Sequence, residues 1–137
     1  LEGLVSAVLP AATPAGQAAL LVAIGAVPGA WLRFRLINHL EPLLPKRHWG
    51  TFGVNVIACF SLGLIVGVQQ GCDAATGRLP LLLVTGFLGS FSTFSTFIGE
   101  LWNALAQRQL GEALLLGVGS ILGGLLALRL GLLLSQP

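Results

Sequence analysis

Four apolar stretches, at about residues 17–38, 50–70, 80–106 and 111–134, follow one another with only short polar connections between them. A helix needs about 20 apolar residues to cross a hydrocarbon core of about 30 Å, and its backbone groups must be satisfied within the segment. Each stretch is long enough, and together they account for most of the chain. The fold class is therefore all-α: a membrane protein of four transmembrane helices. Composition agrees, with 55% hydrophobic and 9% charged residues, against about 25% charged in a soluble domain. Residues 1–15 carry Pro10, Pro14 and the single charge Glu2 and read as a lead-in. Residues 16–137 form one four-helix membrane domain. The first apolar residues lack the basic flank of a signal peptide.

The third stretch departs from a plain membrane helix. Gly86-Phe-Leu-Gly-Ser-Phe-Ser-Thr-Phe-Ser-Thr-Phe97 sets Ser90, Ser92, Thr93, Ser95 and Thr96 among glycines and phenylalanines, with a tandem Phe-Ser-Thr repeat at 91–93 and 94–96. Glycine lowers the cost of breaking a helix, and hydroxyls can bond the backbone groups that a break frees. Non-helical backbone at membrane depth survives only where protein buries it or a polar path runs beside it. The functional reading is a broken helix at an ion or substrate site. The structural alternative is a helix contact glued by small and hydroxyl residues.

The remaining polar residues are few. In the first span, Pro28 removes a backbone donor and predicts a kink, and Gly25 and Gly29 form a face for close packing. Trp31, Arg33 and Arg35 follow. Arginines near a span end either snorkel to the interface or serve a site inside. Residues 39–49, with Pro42 and Pro45, read as a loop, and His39 and His48 as surface histidines without a third metal ligand. Asn55 lies in the second span, where its amide needs partners: a passing anion or another helix. Gly63 and Gly67 offer a second small face, and Gly119 and Gly123 a third. Gln107-Arg108-Gln109 reads as a tight turn, and the central polar residue of the fourth span is Ser120.

Cys59 and Cys72 fall at different membrane depths, which argues against a disulfide between them. A net charge of +2 is too small and dispersed for nucleic acid, and no nucleophile–base pair points to an enzyme. Arg33, Arg35, Lys46, Arg47 and Arg108 lie towards one side, and Arg78 and Arg129 towards the other, which by the positive-inside rule favours termini outside.

Three segments in this order resemble the bacterial fluoride channels, the Fluc or CrcB family. They are Gly25-Ala-Val-Pro-Gly-Ala-Trp-Leu-Arg33, Gly50-Thr-Phe-Gly-Val-Asn55, and Gly86 to Phe97 followed by Glu100. The resemblance implies a passive fluoride channel in the bacterial inner membrane, built as an antiparallel, dual-topology homodimer. It implies two fluoride pores and a central structural sodium ion, with the third helix broken at the dimer centre. By position, the sodium carbonyls fall on Gly89 and Ser92. The pore residues fall on Asn55, Thr93, Phe94, Phe97 and Ser120, while Arg33 matches the family's first-helix arginine and Glu100 its third-helix glutamate, as structural or pore-vestibule residues. The family's usual Gly-Gly-x-Thr-Thr is Gly89-Ser-Phe-Ser-Thr here, a change that a carbonyl ligand tolerates. Leu116 and Gly124 flank Ser120 where other members can carry hydroxyls, so the polar track on the fourth helix is thin.

The residue chemistry is compatible with this. Fluoride is small and strongly hydrated, so its water must be replaced by donors such as the Asn55 amide and Ser or Thr hydroxyls. Phenyl rings present positive edges to an anion. Two other functions compete. A proton-coupled multidrug exporter of similar size requires a first-span carboxylate, and residues 17–38 contain none. A non-transporting assembly subunit would explain the glycine faces but not the Phe-Ser-Thr array.

Overall fold

The computed structural model describes residues 14–43, 47–71 and 80–136. Among them every regular element is a helix. Helix α1 spans Pro14–Leu40 and α2 spans Arg47–Gly71. The third span comprises α3 (Leu81–Leu88, wound as a π-helix), the short α4 (Gly89–Phe91) and α5 (Phe94–Ala106). Helix α6 spans Leu110–Ser135. The four candidate spans run 26, 23, 26 and 26 residues. At 1.5 Å per residue, 26 residues reach about 39 Å, enough to cross the core and emerge at both faces. The protein is a multi-pass membrane protein.

The helices extend beyond the expected boundaries. Helix α1 begins at Pro14, inside the expected lead-in, and continues through Pro28 to Leu40. His39, His48 and Trp49 therefore lie on helix ends and not in a loop, and only residues 41–43 are a described turn. Proline initiates a helix readily because its missing N–H would be unsatisfied there anyway. The Cys72, Asp73 and Arg78 positions and most of the lead-in lie outside the described residues. The tight turn at 107–109 is present. Arg108 adopts φ 57°, and Gln109 N–H donates to the Ala104 carbonyl at 2.9 Å, closing the end of α5.

Close backbone approach holds the bundle together. The most extensive pairing is α2 with α6, followed by α1 with α3. A Cβ on Gly25 would collide with the Leu82 carbonyl oxygen, and one on Gly29 with the Phe87 carbonyl and Ser90 Oγ. From the other side, a Cβ on Gly86 would lie 2.7 Å from the Val22 carbonyl oxygen. In the second pair, Gly63 faces the Leu128 carbonyl and Gly131 faces that of Phe60. Lipid tails are as apolar as leucine, so such contacts rely on van der Waals packing that only small residues permit. The first two expected glycine faces are used as expected. The third is used only in part: Gly123 meets the Phe52 ring at 3.2 Å, while nothing lies within 4 Å of a Cβ on Gly119.

The small core sits where these pairs converge. Val54, Ala58 and Phe91 are buried, with Leu36 and Ile37 against them. The Phe87 and Phe91 rings stack at 6.0 Å between centroids. This core presses α4 onto the inner face of α2, beside the interruption of the third span.

Candidate ion-conduction site

The third span loses helical geometry at two residues. Ser92 has φ −71° and ψ 155°, and Thr93 has φ −144° and ψ 105°; both are extended. They lie near the middle of the Leu81–Ala106 span, where exposed backbone groups are costliest. The Thr93 N–H would close the next helical turn on the Gly89 carbonyl. It donates instead to Asn55 Oδ1 at 2.8 Å. Asn55 Nδ2 in turn donates to the Thr93 carbonyl at 3.1 Å. One side-chain amide thus satisfies both backbone groups of the residue that leaves the helix.

Two further groups complete the break. Arg33 Nη1 donates to the Ser92 carbonyl at 3.3 Å. Of the two roles open to Arg33, the structure shows a link inside the bundle. Arg35 behaves differently: it is exposed, with its guanidinium carbon 5.7 Å from the centroid of the Trp31 ring. Thr93 is buried and caps α5: its Oγ1 accepts from Thr96 N–H at 3.4 Å and donates to Thr96 Oγ1 at 2.8 Å. Beyond the cap, the first N–H groups of α5 point back at the break. A helix N-terminus carries about half a positive charge, so this end of α5 favours an anion.

A second polar link lies one helical turn away. Thr51 and Asn55 are four apart and share one face of α2. Thr51 is 1% exposed, and its Oγ1 donates to Glu100 Oε1 at 2.9 Å. Glu100 also lines a cavity of about 370 Å³ with His48, Asn103, Ala104, Gln107, Gln109 and Glu112, all but one of them polar or charged residues. On the other side of the break, Gly89 and Ser92 line a cavity of about 190 Å³ with Ala58, Cys59, Leu62, Val84 and Leu88. Phe94 is 74% exposed on the outside of the subunit, and its ring lies 6.0 Å from that of Phe97, which is half-buried. Ser120 Oγ is buried on α6 with no hydrogen-bond partner among the described residues.

The family described as CrcB-like protein, Camphor Resistance (CrcB), matches residues 20–132. The chain belongs to the CrcB family. Among relatives, it is 57% identical over 127 residues to "Fluoride-specific ion channel FluC 1" of Prochlorococcus marinus (strain MIT 9313), covering 91% of this chain and 96% of that one. It is 39% identical over 117 residues to "Fluoride-specific ion channel FluC" of Haemophilus ducreyi (strain 35000HP / ATCC 700724), covering 85% and 90% respectively. Its identity to the protein of that name from Synechocystis sp. (strain ATCC 27184 / PCC 6803 / Kazusa) is 35% over 118 residues, covering 85% and 91%.

In this CrcB-family chain the break brings together Arg33, Asn55, Ser92 and Thr93. Glu100 belongs to the separate link through Thr51. No described hydrogen bond connects Ser120 to either group. Sequence reading missed Thr51. It stands four residues before Asn55, and that spacing was the signal available. In the sequence Thr96 is one hydroxyl among several, and only the cap geometry pairs it with Thr93.

A sodium ion would need carbonyl oxygens released from the helix. The residues present fit that need. The Gly89 carbonyl has lost its helical donor to Asn55. The Ser92 carbonyl retains a second lone pair beside its contact with Arg33.

Proposed function

We infer that this chain conducts fluoride passively across the cell membrane, and that one observation carries the reading. A neutral amide, Asn55, holds open a helix break at mid-membrane depth, with a helix N-terminus facing it. The names of the CrcB relatives, fluoride-specific ion channels, support the same ion. As a member of a channel family, the protein is not an enzyme.

The chemistry follows from what the break exposes. Asn55 Nδ2 has two N–H groups, and the clamp on Thr93 uses one. The other can replace a water on fluoride. The hydroxyl of Ser120 adds a donor, buried and unclaimed, whereas the one O–H of Thr93 is committed to Thr96 Oγ1 and holds the cap beside the path. The edges of Phe94 and Phe97 supply weak positive potential without a full charge. Binding stays loose enough for release, as conduction requires. Arg33 contributes positive potential beside the break, while its contact with Ser92 keeps it off the path.

The subunit works as an antiparallel homodimer in the inner membrane. Ser95 and Phe94 are exposed beside the break, and a hydroxyl at mid-depth is better covered by protein than by lipid. Because the break is near the middle of its span, two copies inverted in the membrane would bring their breaks to the same depth. The Gly89 and Ser92 carbonyls of both copies would then hold the structural sodium. That ion would supply fixed positive charge at the dimer centre.

The test is fluoride efflux from liposomes containing the purified protein. Fluoride release without chloride release is expected. A reversal potential that follows the fluoride gradient alone supports a passive channel, and a fixed proton stoichiometry would overturn it.

A further inference from the structure

The cavity at the Glu100 end has a chemistry that the fluoride path does not account for. Its lining combines two carboxylates, Glu100 and Glu112, one imidazole, His48, and three amides, Asn103, Gln107 and Gln109. These come from the start of α2, the middle and end of α5, the following turn and the first turn of α6. All lie towards the end of the bundle marked by the 107–109 turn. The cavity connects inward by shared groups: Glu100 bonds the buried Thr51, and Thr51 stands one turn from Asn55 at the break.

A mouth lined by two carboxylates repels an approaching anion whenever they carry charge. His48 is the lining residue whose charge can offset them. Imidazole is the side chain that ordinarily changes charge between about pH 5 and 8. The charged residues that line the cavity with it are Glu100 from α5 and Glu112 from α6; its neighbour in sequence is Arg47, and Arg108 in the turn is not among the lining residues. Resting on the fluoride reading above, we propose that His48 sets the charge of this mouth, so that its protonation raises fluoride access and its neutral form restricts it. Fluoride remains the ion, and the proton is a modulator that is not transported with it. The amides offer neutral donors to a fluoride that has passed the charged ring.

The experiment is fluoride efflux from liposomes at equal pH on both sides, at about pH 6 and about pH 8, with leak from protein-free vesicles subtracted. The wild type should conduct roughly threefold to tenfold faster at the lower pH, by local attraction of the anion. His48→Gln should be slow and pH-independent, and His48→Arg fast and pH-independent. Glu112→Gln should raise flux at the higher pH and shrink the difference. Asn103→Trp, which fills the cavity, should slow flux at both values. Should His48→Gln fail to fold, the Arg and Glu112 variants still decide the matter. A wild-type pH profile that survives in any His48 variant, or a flat wild-type profile, would overturn the proposal. A protein that passes no fluoride at either pH would instead overturn the function itself.

Discussion

Asn55 does two jobs with one amide, and this makes its chemistry testable atom by atom. Its oxygen accepts from Thr93 N–H and its nitrogen donates to the Thr93 carbonyl. Asn55→Asp keeps the acceptor but places a second oxygen against that carbonyl. Leaving a buried partner unsatisfied costs about 1–3 kcal/mol, and the carboxylate also repels fluoride. Efflux should fall by roughly one to two orders of magnitude, with a folded protein on size-exclusion chromatography. Flux equal to wild type would show that the amide neither shapes the break nor touches the ion. Thr51→Val removes only a hydroxyl at a position 1% exposed. It should slow fluoride through loss of the Glu100 partner while Thr51→Ser restores it, and no change in flux would detach Glu100 from the path.

Helix pairing places these residues at the scale of whole elements. The approach of α1 to α3 depends on Gly25, whose Cβ would meet backbone and not a yielding side chain. Gly25→Val should therefore separate the two helices, move Arg33 away from Ser92, and abolish flux along with thermal stability. Gly111 is the contrasting case: nothing lies within 4 Å of a Cβ there. Alanine has the higher helix propensity, by about 1 kcal/mol, so Gly111→Ala should keep full flux and melt no lower than wild type. A damaging Gly111→Ala alongside a tolerated Gly25→Val would reverse the packing account.

Assembly is tested best at Gly89. Within the subunit, a Cβ on Gly89 meets only the Val84 carbonyl oxygen, at 3.8 Å. Gly89→Leu should leave the single chain folded but obstruct a second copy and its ion. Native mass spectrometry should then show monomer where wild type gives dimer, and efflux should stop. Ser92→Ala should remain dimeric and conducting, because only the backbone oxygen is needed. Replacing sodium by a large organic cation should lower the dimer's melting temperature, since an ion that binds only the assembled state stabilises it. A Gly89→Leu dimer with normal flux would remove both the antiparallel interface and the sodium site.

Much of this protein was legible from residues alone. Hydropathy and length determined four helical spans, because a bilayer permits few other solutions for so apolar a chain. The crowding of Gly, Ser, Thr and Phe between 86 and 97 marked the interrupted helix, and Gly25, Gly29 and Gly63 marked the tight contacts. Tertiary structure decided how the break is satisfied. Asn55 and Thr93 are 38 positions apart, and Arg33 and Ser92 are 59 apart. Hydropathy and motif spacing describe a chain locally, whereas the partners of a freed backbone group depend on which helix packs beside it. Sequence therefore left Asn55 between an anion and another helix, and Arg33 between the interface and the interior. Packing of α1 and α2 around the third span brought the two side chains to adjacent residues, Arg33 to Ser92 and Asn55 to Thr93.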